Sequence, residues 1–153
     1  MATSITDYHK SIRDAQADVI RGAVAGVPVV TVDDLEDIDK VTALPAIAVA
    51  CVGPETEEPS LTTNLQDGIR YPVACVLLSV GVAQGGKAPG VLDITAFRRL
   101  IRTLFSRKRL SAVSQVAWCE VADSGDLFDR RKAEFQKIST ALVVTAVGRF
   151  PRS

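Results

Sequence analysis

The longest apolar run in the chain is Tyr71 to Ala83 (YPVACVLLSVGVA), and it restricts what the chain can become. A membrane-crossing helix needs about 20 apolar residues, so a run of this length, interrupted by Pro72 and Ser79, is too short to span a bilayer. An apolar stretch rich in valine and bounded by turn residues reads instead as a strand. Extended back to Ile69, it is the longest strand predicted, Ile69 to Ala83. A second buried strand is predicted at Ala46–Val52, opened by Pro45 and closed by Gly53-Pro54. A short β-branched run covers Val27 to Val32. Two later segments complete the set, Val113 to Val121 and Gln136 to Gly148. In the former, Val116, Trp118 and Glu120 are expected on one face, with Val113, Ala117, Cys119 and Val121 on the other or adjoining it. In the latter, Ile138, Thr140, Leu142, Val144 and Ala146 alternate with Ser139, Ala141, Val143, Thr145 and Val147.

Helical periodicity occurs twice. Over residues 5–24, Ile5, Tyr8, Ile12, Ala15, Val19 and Ala23 recur at steps of three and four, with Thr6 or Ser4 as cap and Gly26 at the exit. Over residues 93–108, Asp93 suits the N-cap, and Ile94, Phe97, Leu100, Ile101, Leu104 and Phe105 form one apolar stripe. The polar face of this second helix is basic: Arg98, Arg99, Arg102, Arg107 and Lys108. The order α, β, β, β, α, β, β predicts an α+β fold, two helices on one mostly antiparallel sheet of about four to five strands. No linker or repeat divides the chain, so residues 1–153 are expected to form one domain. Two polar connections stand out, 54–68 (PETEEPSLTTNLQDG) and Gln84 to Gly90. A third charged stretch, Asp123 to Glu134, reads as a loop or short helix.

Composition bears on function mainly by exclusion. Eighteen basic residues balance eighteen acidic ones, so no overall field directs the chain to nucleic acid or an anionic membrane. The N-terminus lacks the basic and apolar blocks of a secretory signal, which predicts an intracellular protein. Cys51, Cys75 and Cys119 form no CxxC pair and sit in apolar strand-like runs, as small buried hydrophobes in a reducing compartment do. The single histidine, His9, lies between Tyr8 and Lys10 on the first helix and reads as a rim residue. Its spacing to the cysteines indicates no catalytic dyad. The carboxylates at Asp33–Asp39 and at Glu55, Glu57 and Glu58 match no EF-hand, and the scattered cysteines match no zinc pattern. Gly85-Gly86-Lys87 lacks the rest of a phosphate-binding loop, and no GxSxG elbow occurs. No cofactor, metal site or catalytic set is therefore expected. The basic face at 98–108 is the one feature suited to nucleic acid, and equally to acidic loops on a neighbouring subunit.

The layout as a whole resembles a known family. Leu44-Pro45-Ala46-Ile47-Ala48-Val49 runs into Gly53-Pro54-Glu55, then Ile69-Arg70-Tyr71-Pro72-Val73 leads to a helix carrying Phe97-Arg98-Arg99-Leu100-Ile101, and two strands finish the chain. This arrangement is similar to the tail terminator (tail completion) proteins of long-tailed bacteriophages and related prophage elements. The resemblance implies a non-enzymatic virion protein, made in the host bacterial cytoplasm and assembled as a ring, commonly a hexamer, on the last ring of the tail tube. Its implied partners are copies of itself, the tail tube protein and a head-side connector or stopper, with genome DNA passing through the lumen without sequence-specific binding. Segments 54–68 and 84–92 would face tube or neck. Arg98, Arg99, Arg102, Glu55, Glu57, Glu58, Asp67 and Lys87 are the expected interface residues. The alternatives are another neck component (a head-closure or connector protein), a small nucleic-acid-binding protein using helix 93–108, and, third, an enzyme built around His9.

Overall fold

The computed structural model describes residues 7–24, 26–33, 37–38, 41, 46–78, 94–123 and 138–151. Its elements are α1 (Tyr8–Ala23), β1 (Val29–Val32), β2 (Ala46–Cys51), β3 (Thr56–Glu57), β4 (Gln66–Leu78), α2 (Ile94–Phe105), β5 (Val116–Asp123) and β6 (Ile138–Pro151). All strands join one sheet in the order β1-β2-β4-β6-β5, with β3 paired to β4 beyond the end of β2. Only β1 and β2 are parallel; the other pairings are antiparallel. The α+β expectation holds, with six strands rather than four to five.

The sixth strand has a local cause. β4 starts at Gln66, earlier than its apolar pattern suggests, and outruns β2, whose pairing stops at Cys51↔Val73. The backbone left open at Ile69 and Arg70 is filled by Glu57 and Thr56. Part of the expected 54–68 loop is therefore strand, followed by a 3-10 turn at Pro59–Leu61. Gly68 permits this turn to lie close, since a Cβ there would come within 2.2 Å of the Glu58 carbonyl oxygen. The longest strand is β6, at 14 residues against 13 for β4.

Alternation along β2, β4 and β6 divides their side chains between two apolar clusters. Ile47, Val49, Val73, Cys75, Leu77, Leu142, Val144 and Ala146 face α1 and α2. Ala48, Ala50, Ala74, Val76, Leu78 and Ala141 face the other way, where Ile38 is fully buried among them. Both helices thus lie on one face. From α2, Phe97, Ile101 and Phe105 insert into the core at i, i+4 and i+8, as its stripe predicts. On α1 the buried line is Ile12, Ala15, Gln16 and Ile20, and Ala23 is exposed, because the stripe drifts around the helix before its end. The cap is Asp7, whose carboxylate accepts from the Lys10 amide at 3.0 Å, rather than Thr6 or Ser4, which lie outside the described residues. Tyr8 and Tyr71 each meet the Phe150 ring at a centroid distance of 4.9 Å, the first tilted and the second edge-on, and pin the start of α1 to the sheet.

β5 corrects the expected faces. Val116 opposes Gly148, but the next register pair is Trp118↔Val147, so Ala117 is an extra, bulged residue. The bulge places Val116 on the helix side with Cys119, leaving Trp118 and Glu120 on the opposite face. Gln84 to Gly90 and residues 124–134 lie outside the described residues. Among the described residues, no helix is long and apolar enough to cross a membrane.

Candidate assembly interface

His9 and Cys51 approach each other without forming a nucleophile–base pair. The His9 ring Nε2 lies 2.6 Å from the Pro72 carbonyl oxygen, and the ring centroid is 5.4 Å from that of Tyr71, the planes tilted. The Cys51 thiol points at the His9 backbone carbonyl, 3.7 Å away, not at the ring. Burial pushes the Cys51 pKa up, the reverse of what thiolate chemistry requires. Cys75 and Cys119 are buried more deeply, with thiols raised to about 12 and about 11 by desolvation. All three are free cysteines.

The basic face of α2 separates into two parts. Arg98 is half-buried and turned to its own sheet, where it donates to Thr140 Oγ1 and to Asp123 Oδ2, both at 2.9 Å. Arg99 and Arg102 are exposed, have no ion pair among the described residues, and line a shallow groove with Thr95 and Thr103. Arg107 stands past the helix end with φ of 60°, a left-handed turn. There its amide donates to the Cys119 carbonyl at 2.8 Å, and the Cys119 amide donates to Lys108 O at 2.9 Å. The Arg107–Lys108 stretch just past α2 thereby covers part of the β5 edge.

The acidic segment divides similarly. Glu58 accepts from Arg70 Nη1 at 3.0 Å and from the Ser60 hydroxyl at 2.7 Å. Arg70 also pairs with Glu120, which accepts from the Trp118 indole at 3.2 Å. These contacts tie β3, β4 and β5 together on the face away from the helices, and they hold both carboxyls below their ordinary value. The Ser60 and Arg70 hydrogen bonds are the main causes for Glu58, and the Arg70 hydrogen bond for Glu120. The side chains of Glu55 and Glu57 are exposed and have no hydrogen bond or ion pair among the described residues. Asp67 sits opposite Phe150 in the β4–β6 ladder, and Lys87 lies outside the described residues.

The β1 edge is guarded by arginines of α1. Arg21 donates to the Val29 carbonyl through Nε (3.2 Å) and Nη2 (2.9 Å), and Arg13 reaches Val32 O at 3.1 Å and Asp33 at 2.7 Å. Arg13, polar in the sequence pattern, is consequently only 7% exposed. At the far flank, beside β5, lies a cleft of about 540 Å³ lined by Leu61, Gln66, Arg109, Gln115, Val116 and Arg149, among others. Among the described residues, no carboxylate lines it. Sequence reasoning missed this cleft because its walls come from four separate segments; the Arg107-Lys108-Arg109 run was the one local hint.

No known protein family matches the sequence, and no curated protein does. A solved structure does match. The chain has the fold of a sheath/tube terminator. That protein belongs to an extracellular contractile injection system (PVC) in its extended state, and it superposes with a TM-score of 0.61 at 9% identity over 99% of this chain. The chain spans 58% of the terminator's own length.

Proposed function

We propose that this chain is a non-enzymatic structural subunit of a phage-like tail, a terminator that closes into a ring, a hexamer, on the head-proximal end of the tail tube. The observation that carries the reading is the terminator fold, matched along 99% of the chain at an identity too low for sequence comparison to register. In this role the ring stops tube growth and offers its other side to a head-side connector, while DNA passes through the lumen without sequence-specific binding. The subunit is made in the host bacterial cytoplasm and resides in the tail or neck of the particle, without a cofactor.

A ring requires a heterologous contact, in which one surface meets a different surface on the next copy and the rotation closes. A stable contact buries roughly 800 Å² per partner, about a tenth of this chain's 8539 Å². Arg99 and Arg102 contribute free cations to such contacts, whereas Arg98 and Glu58, already paired within the chain, shape the surfaces from beneath. The 54–68 segment presents Leu65, 81% exposed at the turn before β4, as an apolar anchor for tube or connector.

The test is the mass of the purified protein by light scattering across concentration and salt, alone and with tube protein. A discrete closed oligomer, or a monomer that closes on tube protein, supports the reading. A strict monomer that ignores tube protein and binds DNA steeply with falling salt refutes it, and assigns the basic face of α2 to nucleic acid. Charge reversal at Arg99 and Arg102, leaving Arg98 to its contacts with Thr140 and Asp123, should weaken self-association, with raised salt acting the same way. Normal assembly of that variant at all salts would make α2 a solvated face.

A further inference from the structure

One row of residues crosses the sheet from flank to flank. Glu57 of β3 opposes Ile69 of β4, Ile69 opposes Gly148 of β6, and Gly148 opposes Val116 of β5. With neighbouring strands about 4.8 Å apart, the row spans about 14 Å. One end of it carries the exposed, unpaired carboxylates Glu55 and Glu57. The other end is the cleft beside β5, whose charged side chains are Arg109 and Arg149. Arg109 is exposed and makes no hydrogen bond or ion pair among the described residues. Arg149 uses its Nε on the Leu61 carbonyl at 3.1 Å, and its two Nη groups have no partner among the described residues.

We infer that these two ends are the complementary halves of one subunit–subunit contact: the Glu55–Glu57 segment of one copy docks in the Arg109/Arg149 cleft of the next. The inference rests on the ring reading and names the surfaces that meet. Three features support it together. The charges are opposite and have no compensating partner among the described residues. The cleft's Ser114–Ala117 wall lies at the β5 flank, across β4 and β6 from Glu57, and Leu61 and Gln66 form its near wall, so the carboxylates and the cleft are different surfaces of the subunit, as a heterologous contact needs. They also share one height along the strands, so copies set side by side in the same orientation bring them level. Gln66, Ser114 and Gln115 supply further polar groups around the arginines, and Val116 a small apolar floor. An arginine pair facing carboxylates suits this site because guanidinium groups bind carboxylates through paired N–H donors.

The experiment uses two charge-reversed variants of the full chain, Glu55→Lys/Glu57→Lys and Arg109→Glu/Arg149→Glu. All four side chains are exposed and only Arg149 gives up a hydrogen bond, to the Leu61 carbonyl, so the carboxylate variant should melt as the parent does and the arginine variant close to it. Self-association of each variant alone, by light scattering with tube protein added if the parent requires it, should weaken at least about tenfold. Mixed in equal amounts, the two should assemble again, because every contact in an alternating ring then pairs opposite charges. The quadruple variant should assemble by itself for the same reason. If both double variants assemble as the parent does, or if the mixture is no better than either alone, the assignment of these surfaces is overturned while the ring reading stands. If the parent itself never associates, with or without tube protein, the ring reading falls and this contact falls with it.

Discussion

Gln16 offers a direct test of how the helix layer is held. It lies on α1 between Ile12 and Ile20, one turn from each, and is fully buried. Neither its Oε1 nor its Nε2 has a hydrogen-bond partner among the described residues. A buried polar group without a partner costs about 1–3 kcal/mol relative to an apolar group of the same shape. Methionine matches glutamine closely in length and volume and has no strong donor or acceptor. Gln16→Met should therefore stabilise the fold by about 1–3 kcal/mol, which in a domain of this size raises Tm by about 2–4 °C for each kcal/mol. Gln16→Glu should act in the opposite sense. A carboxyl buried there has its pKa raised, so the folded state holds the proton more tightly. The penalty is absent well below the ordinary carboxylate value near 4.3 and grows as pH rises above it. Urea unfolding followed by the single tryptophan, Trp118, measures all three proteins at pH 4 and pH 7. An unchanged or lowered midpoint for Gln16→Met, at constant urea dependence, would refute the argument and mean that the amide is satisfied where it sits.

Other expectations follow from backbone proximity, burial and charge. A Cβ at Gly148 would come within 2.1 Å of the Gln115 carbonyl oxygen and 2.9 Å of Val116 Cα, both backbone atoms that cannot swing aside. Gly148→Ala should therefore lose about 1–3 kcal/mol in urea unfolding. Gly22→Ala, in α1 with nothing within 4 Å, should instead gain up to about 1 kcal/mol. Burial of the Cys75 and Cys119 thiols predicts that a thiol reagent at pH 8 labels at most Cys51 rapidly in the native protein, and all three in urea. Rapid native labelling of Cys75 would contradict the placement of β4. Glu58 and Glu120 have pKa values depressed below 4.5, so the folded protein holds fewer protons there than the unfolded chain. Their contribution is complete above pH 4.5 and is lost as pH falls through the depressed values. Arg70→Gln should flatten that acid limb of Tm against pH, and an unaltered limb would show that the cluster contributes nothing measurable.

Local pattern was sufficient for much of the fold. The run from Ala46 to Cys51, the valine-rich half of β4, the alternation of β6 and the Phe97–Ile101–Phe105 stripe all appear as one-dimensional periodicities, because burial on a sheet or helix repeats at a fixed interval along the chain. Together with the two helices they determine an α+β domain with a mostly antiparallel sheet. The tertiary structure decided what no interval encodes. β3 exists because β4 outruns β2 and leaves backbone to be paired. The Ala117 bulge moves Val116 to the face of Cys119, which a strict two-residue alternation excludes. Arg13 is buried because Asp33 and the Val32 carbonyl, some twenty residues on, complete its hydrogen bonds. The same holds for charge: Arg98 and Glu58 look as free in the sequence as Arg99 and Glu57. Only the fold brings Thr140, Asp123 and Arg70 to the first two and leaves the others open to a neighbour. Pairing between distant segments depends on the register of the sheet, and register is a property of the folded chain.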